Sequence, residues 1–79
     1  MALKISVAPA GDGWAVQSAD RKEVLSFVRG ARAEAAARAL ASRASAEGRS
    51  AEVSIFLRDG SLAGRFAYPA WVADFAMAG

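Results

Sequence analysis

Residues 11–48 read GDGWAVQSADRKEVLSFVRGARAEAAARALASRASAEG, and this stretch decides the fold. Two short runs with a period of two are followed by residues 31–47, which contain no Pro, no Gly and no β-branched side chain. The first run, residues 14–18, places Trp14 and Val16 on one face of a strand and Ala15 and Gln17 on the other. Polar residues 19–22 close a hairpin. The second run, residues 23–28, sets Leu25 and Phe27 on one face against Val24, Ser26 and Val28. Intrinsic propensity then favours helix over 31–47, with Gly30 as N-cap and Gly48 ending it in the C′ role.

At 100° per residue, Ala33, Ala36, Ala37, Leu40 and Ala44 form the helix's apolar stripe, and Arg32, Arg38, Ser42 and Arg43 point away from it. Leu40 is the one large apolar side chain on that helix. The stripe must therefore approach a sheet closely, with Trp14, Leu25, Phe27, Val53 and Ile55 supplying the bulk. Glu34 and Arg38 have the i,i+4 spacing and order that favour an ion pair.

Working outward, Leu3, Ile5 and Val7 alternate with Lys4, Ser6 and Ala8 in a first strand, and residues 9–13 carry turn chemistry. Beyond the helix, Val53, Ile55 and Leu57 alternate in a fourth strand. Asp59-Gly60 matches the type I′ hairpin preference and leads to a fifth strand over 62–68. Pro69 stops the ladder and permits a short helix over 70–77, with Trp71, Val72 and Phe75 on one side. The expectation is a single α+β domain over residues 1–79 in β-β-β-α-β-β order. Its one mainly antiparallel sheet carries the alanine-rich helix on one face.

At 79 residues, the chain is near the size at which one core becomes marginal without staples or a partner subunit. Apolar residues make up 54% of it, but 21 of them are alanine and bury little area each. With no Cys there is no disulfide and no thiolate metal site. The alternating N-terminus is unlike a secretory signal, and no stretch has the length and apolarity of a membrane span, so a cytoplasmic protein is expected. Eight Arg and two Lys leave a net charge of only +2.

The residue inventory argues against catalysis. Acid–base chemistry near neutrality usually relies on histidine, and there is none. Asp12, Asp20 and Asp59 fall in turns, where Asp bonds its own backbone. The serines lack an activating base, and no spacing resembles a calcium loop. Gly11-x-Gly13 precedes a strand, whereas phosphate-cradling glycines lie between a strand and a helix. No catalytic, cofactor-binding or metal-ligating residue is expected.

Two kinds of contact remain. Arg29 and Arg32 at the helix start, with Arg38 and Arg43 farther along, are candidate contacts for an anion or nucleic acid. Lys4, Arg58 and Arg65 are expected to add positive charge on the sheet face away from the helix, and Glu34, Glu47 and Glu52 dilute both patches. Val24, Val28 and Phe56 fall on that same second face, where the helix cannot cover them. Apolar area of this kind marks a protein contact unless the chain covers itself. The covering element is either the tail, through Trp71, Val72 and Phe75, or a protein partner, with a homodimer the simplest case. A self-associating, non-enzymatic interaction module is the first expectation. A small DNA- or RNA-binding protein is the second.

Gly13-Trp14-Ala15-Val16, Ala33-Glu34-Ala35 and Val53-Ser54-Ile55 leading to Asp59-Gly60 occur in an order that resembles the uncharacterised bacterial domain-of-unknown-function family 2188. The resemblance spans roughly residues 5–67. It departs at the helix start, where Gly30 and Ala31 replace the expected Thr or Ser, and before Asp59, where Leu57 and Arg58 replace a frequent His. It implies this fold outline and a bacterial source, and no activity. The plant-type AP2 DNA-binding domain and the HicB-type antitoxins resemble the strand-strand-strand-helix portion alone.

Overall fold

A computed structural model of the chain describes residues 2–71. The elements run β1 (Leu3–Ala10), β2 (Gly13–Ser18), β3 (Leu25–Phe27), α1 (Gly30–Ala46), β4 (Ala51–Phe56) and β5 (Leu62–Tyr68). The fold is α+β in the expected order. The five strands form one sheet in the order β3-β2-β1-β4-β5.

The sheet is mixed, not mainly antiparallel. β1 pairs antiparallel with β2, β2 with β3, and β4 with β5, but β1 and β4 run parallel, with Ile5 beside Val53. The cause is the helical crossover. After two hairpins β3 runs parallel to β1, and α1 carries the chain back across the sheet so that β4 starts again in that direction. Pro9 sits in β1 without breaking a ladder, because pairing with β4 ends at Val7 and Ile55.

The registers place the two faces. Leu3, Ile5 and Val7 line up with Val16, Ser18, Ala51 and Val53 under the helix. Ile5, Val7, Val16 and Val53 are the largest side chains buried completely. Each such side chain contributes about 1.5–3 kcal/mol when removed from water. Trp14, Leu25, Phe27, Leu40, Ile55 and Tyr68 pack around this centre and are partly buried. The bulk thus comes from the strands, as the alanine stripe requires.

The stripe itself is Ala33, Ala37, Ala41 and Ala44. It is rotated from the expected one toward Ala41 and away from Ala36, which is only partly buried. The helix begins one residue early, with Arg29 as a non-side-chain cap. It ends in a Schellman motif: the Arg49 N–H donates to the Ala44 carbonyl at 2.9 Å, the Gly48 N–H to Ser45 at 3.0 Å, and Gly48 has φ 86°.

Three local expectations are corrected. β3 spans three residues instead of 23–28, so Val24 and Val28 lie outside it. Leu57 is not in β4; it opens the loop to β5 and donates its N–H to the Ser61 carbonyl at 2.8 Å. That loop is not a type I′ turn, because Asp59 does not take positive φ and only Gly60 does, at 88°. A five-residue connection holds its shape instead through Asp59 Oδ1, which accepts from the Ser61 N–H and hydroxyl at 2.9 and 2.6 Å.

Candidate interaction surface

Gly13 and Trp14 organise one end of the sheet. A Cβ at Gly13 would collide with the Phe27 carbonyl oxygen, so only glycine lets β3 lie this close. Trp14 then faces the start of α1, where a Cβ on Gly30 would meet indole atoms at 3.1–3.2 Å. The Arg58 guanidinium sits 4.8 Å from the centroid of the Trp14 ring. It also donates to the Gly11 carbonyl at 3.1 Å and the Asp12 carbonyl at 2.8 Å. Arg58 therefore clasps the β4–β5 loop to the β1–β2 turn. It does not add charge to the far sheet face, and nothing in its sequence neighbourhood signals this role.

The other arginines are dispersed. Arg29, Arg32 and Arg43 are exposed, but Arg32 and Arg43 stand eleven positions apart on the helix, about 16 Å along its axis. Arg38 does not point away from the core side as expected. It pairs with Glu34 at 2.9 Å and lies 4.6 Å from the Phe66 ring centroid, shielding the helix side of β5. On the far face Lys4 and Arg65 share one carboxylate, Glu52, at 3.2 and 3.7 Å. Exposed pairs of this kind contribute little stability, yet they halve the local positive charge. Among the described residues these cations are spread along the helix or share a carboxylate, with Arg21 beside Lys4 at one hollow of the far face, a sparser array than tight phosphate binding favours.

Two of the turn carboxylates, Asp20 and Asp59, bond nearby groups of the chain. The Ser18 hydroxyl bonds Asp20 at 2.5 Å and Arg49 reaches it at 3.3 Å, which holds its carboxyl below the ordinary value. The Ser61 hydroxyl and N–H do the same for Asp59. Among the described residues no group of His, Cys, Asp or Glu could hold a metal ion. Every buried side-chain polar atom among them has a partner, and no described helix is long and apolar enough to cross a membrane.

The apolar residues expected on the second face are not brought together. Phe56 is there, half-buried at an open hollow of about 430 Å³ lined also by Ser6, Gln17 and Ser54. Val28 is 87% exposed and lies instead beside Asp12, Gly13 and Ser26, while Val24 is 47% exposed ahead of β3. Trp71 is 61% exposed and sits on the helix side, beside Ser42 and Ala46. Its N–H donates to the Ser45 carbonyl at 2.9 Å, and the Ser45 hydroxyl donates to Pro69 O at 2.6 Å. Trp71 therefore does not cover the far face. Val72, Phe75 and the rest of the expected terminal helix lie outside the described residues.

Apart from Phe56, the far face is made largely of small and polar residues, among them Ser6, Ala8, Ala15, Gln17, Ser26 and Ser54, none of them buried. Of the exposed larger apolar residues, Val24, Val28, Leu57 and Trp71 are scattered outside the strands, and two share the edge strand β5. β5 is seven residues long and, among the described residues, has a neighbouring strand on one side only. Leu62 and Phe66 on it are 45% and 39% exposed. The sequence singled out neither, because edge position depends on strand order and not on periodicity. Compared with protein-family models, with curated proteins and with solved structures, the chain has no match.

Proposed function

We propose that this chain is a non-enzymatic interaction module that associates with a second copy of itself through its sheet, in the cytoplasm of a bacterial cell. The observation that carries the reading is the edge strand β5, seven residues whose outward N–H and C=O groups have no neighbouring strand among the described residues. An uncovered edge is a template for another strand, and stable monomers blunt it with charges, prolines, bulges or shortness. β5 has an irregularity between its pairings with Ile55 and Phe56 and one exposed charge, Arg65, but pairs regularly over residues 64–68. The opposite edge, β3, is blunted in this way by its length of three residues.

The reading is tested by sizing the chain with light scattering over a wide concentration range, at low and high salt, alongside titration with mixed-sequence DNA and RNA. A dimer that persists in high salt and ignores nucleic acid supports it. A monomer at every concentration that binds nucleic acid with a steep salt dependence would put the nucleic-acid reading first.

A further inference from the structure

The composition of β5 narrows how two copies could meet, granted that they do meet. Two identical strands joined antiparallel are related by a two-fold axis, and each even-numbered offset sets a different pair of residues opposite one another. Centring the axis on Arg65 would oppose Arg65 to itself, two like charges in direct cross-strand contact. Centring it on Phe66 avoids this. Phe66 then faces the second copy's Phe66, Arg65 faces the second copy's Ala67, and Gly64 faces the second copy's Tyr68. The partly exposed Phe66 ring, which in its own chain lies over Gly64 so that a Cβ there would meet it at 3.3 Å, gains an aromatic neighbour across the axis.

We propose that two copies of this chain pair antiparallel along β5 with Phe66 at the two-fold axis, making one ten-stranded sheet with both helices on the same face. The contact closes on itself, and the short β3 edges left outside give no comparable template for growth. Assembly therefore stops at the dimer.

Ala67 provides a test that spares the fold. It is exposed, and within its own protomer it lies opposite Glu52, so Ala67→Arg gains a favourable neighbour inside the monomer. In the dimer the same arginine faces Arg65, and symmetry repeats the conflict. Light scattering across concentrations should show the dissociation constant of Ala67→Arg raised about three- to thirtyfold, with thermal melting of the monomer unimpaired. Adding Arg65→Glu should restore dimerisation. Because the chain has no cysteine, cross-linking gives an independent reading: Phe66→Cys should oxidise to a disulfide dimer. Arg65→Cys should not, since its own mate is displaced by two residues, about 7–8 Å. A parent dimer whose affinity is untouched by Ala67→Arg, or an efficient disulfide at position 65 and none at 66, overturns this pairing and leaves self-association standing. A parent that is monomeric at all concentrations overturns both.

Discussion

Ala37→Leu tests the packing of the helix on the sheet. Ala37 has no exposed surface, and beneath the stripe Ile5, Val7, Val16 and Val53 are all below 2% exposed. A leucine brings three further carbons into that contact, so the helix must lift from the sheet or its neighbours must leave their rotamers. Overpacking of this kind costs about 1–3 kcal/mol. For a domain of this size each kcal/mol moves the melting temperature about 4–8 °C, so a fall of roughly 4–24 °C is expected. Ala39 is exposed on the same helix, and Ala39→Leu changes propensity little, so its effect should stay within about 0.5 kcal/mol. Urea titration and thermal melting, followed by far-ultraviolet circular dichroism at one fixed protein concentration, measure both; the concentration matters because association would add to apparent stability. Equal losses for the two variants, or a stabilised Ala37→Leu, would refute the assigned face.

Gly13→Ala should cost about 1–3 kcal/mol in the same titration, since its methyl group meets the Phe27 carbonyl and not a side chain that could yield. Arg58→Ala should lower stability by about 1–2 kcal/mol by releasing the clasp on Gly11, Asp12 and Trp14, and Arg58→Lys should recover only part of it. Asp20 and Asp59 have folded pKa values lowered from 3.8, so their contribution is complete above that value and is lost as pH falls through the lower folded values. Acid titration of Asp20→Asn should accordingly show a shallower loss than the parent below about pH 4. Any binding to nucleic acid should have a slope of log affinity against log salt equivalent to only a few phosphates.

Much of the fold was legible because its signals are local. The alternation at Leu3, Ile5 and Val7 and at Trp14 and Val16 marks which side chains meet the helix, and Gly48 marks where that helix stops. Strand order was less legible. Nothing in β4 itself shows that it returns beside β1, so the parallel pair, and with it the edge position of β5, emerges only from tertiary packing. The stripe missed Ala41 because the expected face was centred toward Leu40 and Ala36; the buried stripe is no wider but is rotated toward Ala41, which leaves Leu40 at its margin. The candidate site was less legible still. Val24 and Val28 share the parity of Ser26, but a three-residue strand ends before reaching either of them. Arg58 reads as a surface cation, and its contacts with Gly11 and Asp12 lie more than forty positions away in sequence. Phe66 carries no signal of its own in the sequence; that it sits partly exposed on an edge strand follows from strand order alone.

Amide hydrogen exchange of the unmodified chain, followed residue by residue at several protein concentrations, tests self-association and its location together. In an isolated protomer the outward amides of Leu62–Tyr68 have no strand to bond to among the described residues, so they are expected to exchange quickly. They should slow progressively as concentration rises and β5 gains its partner, while amides between β1 and β4 keep one rate throughout. Exchange across β5 that is fast and independent of concentration, with no other segment slowing in its place, would contradict the claim that this chain is a self-associating module.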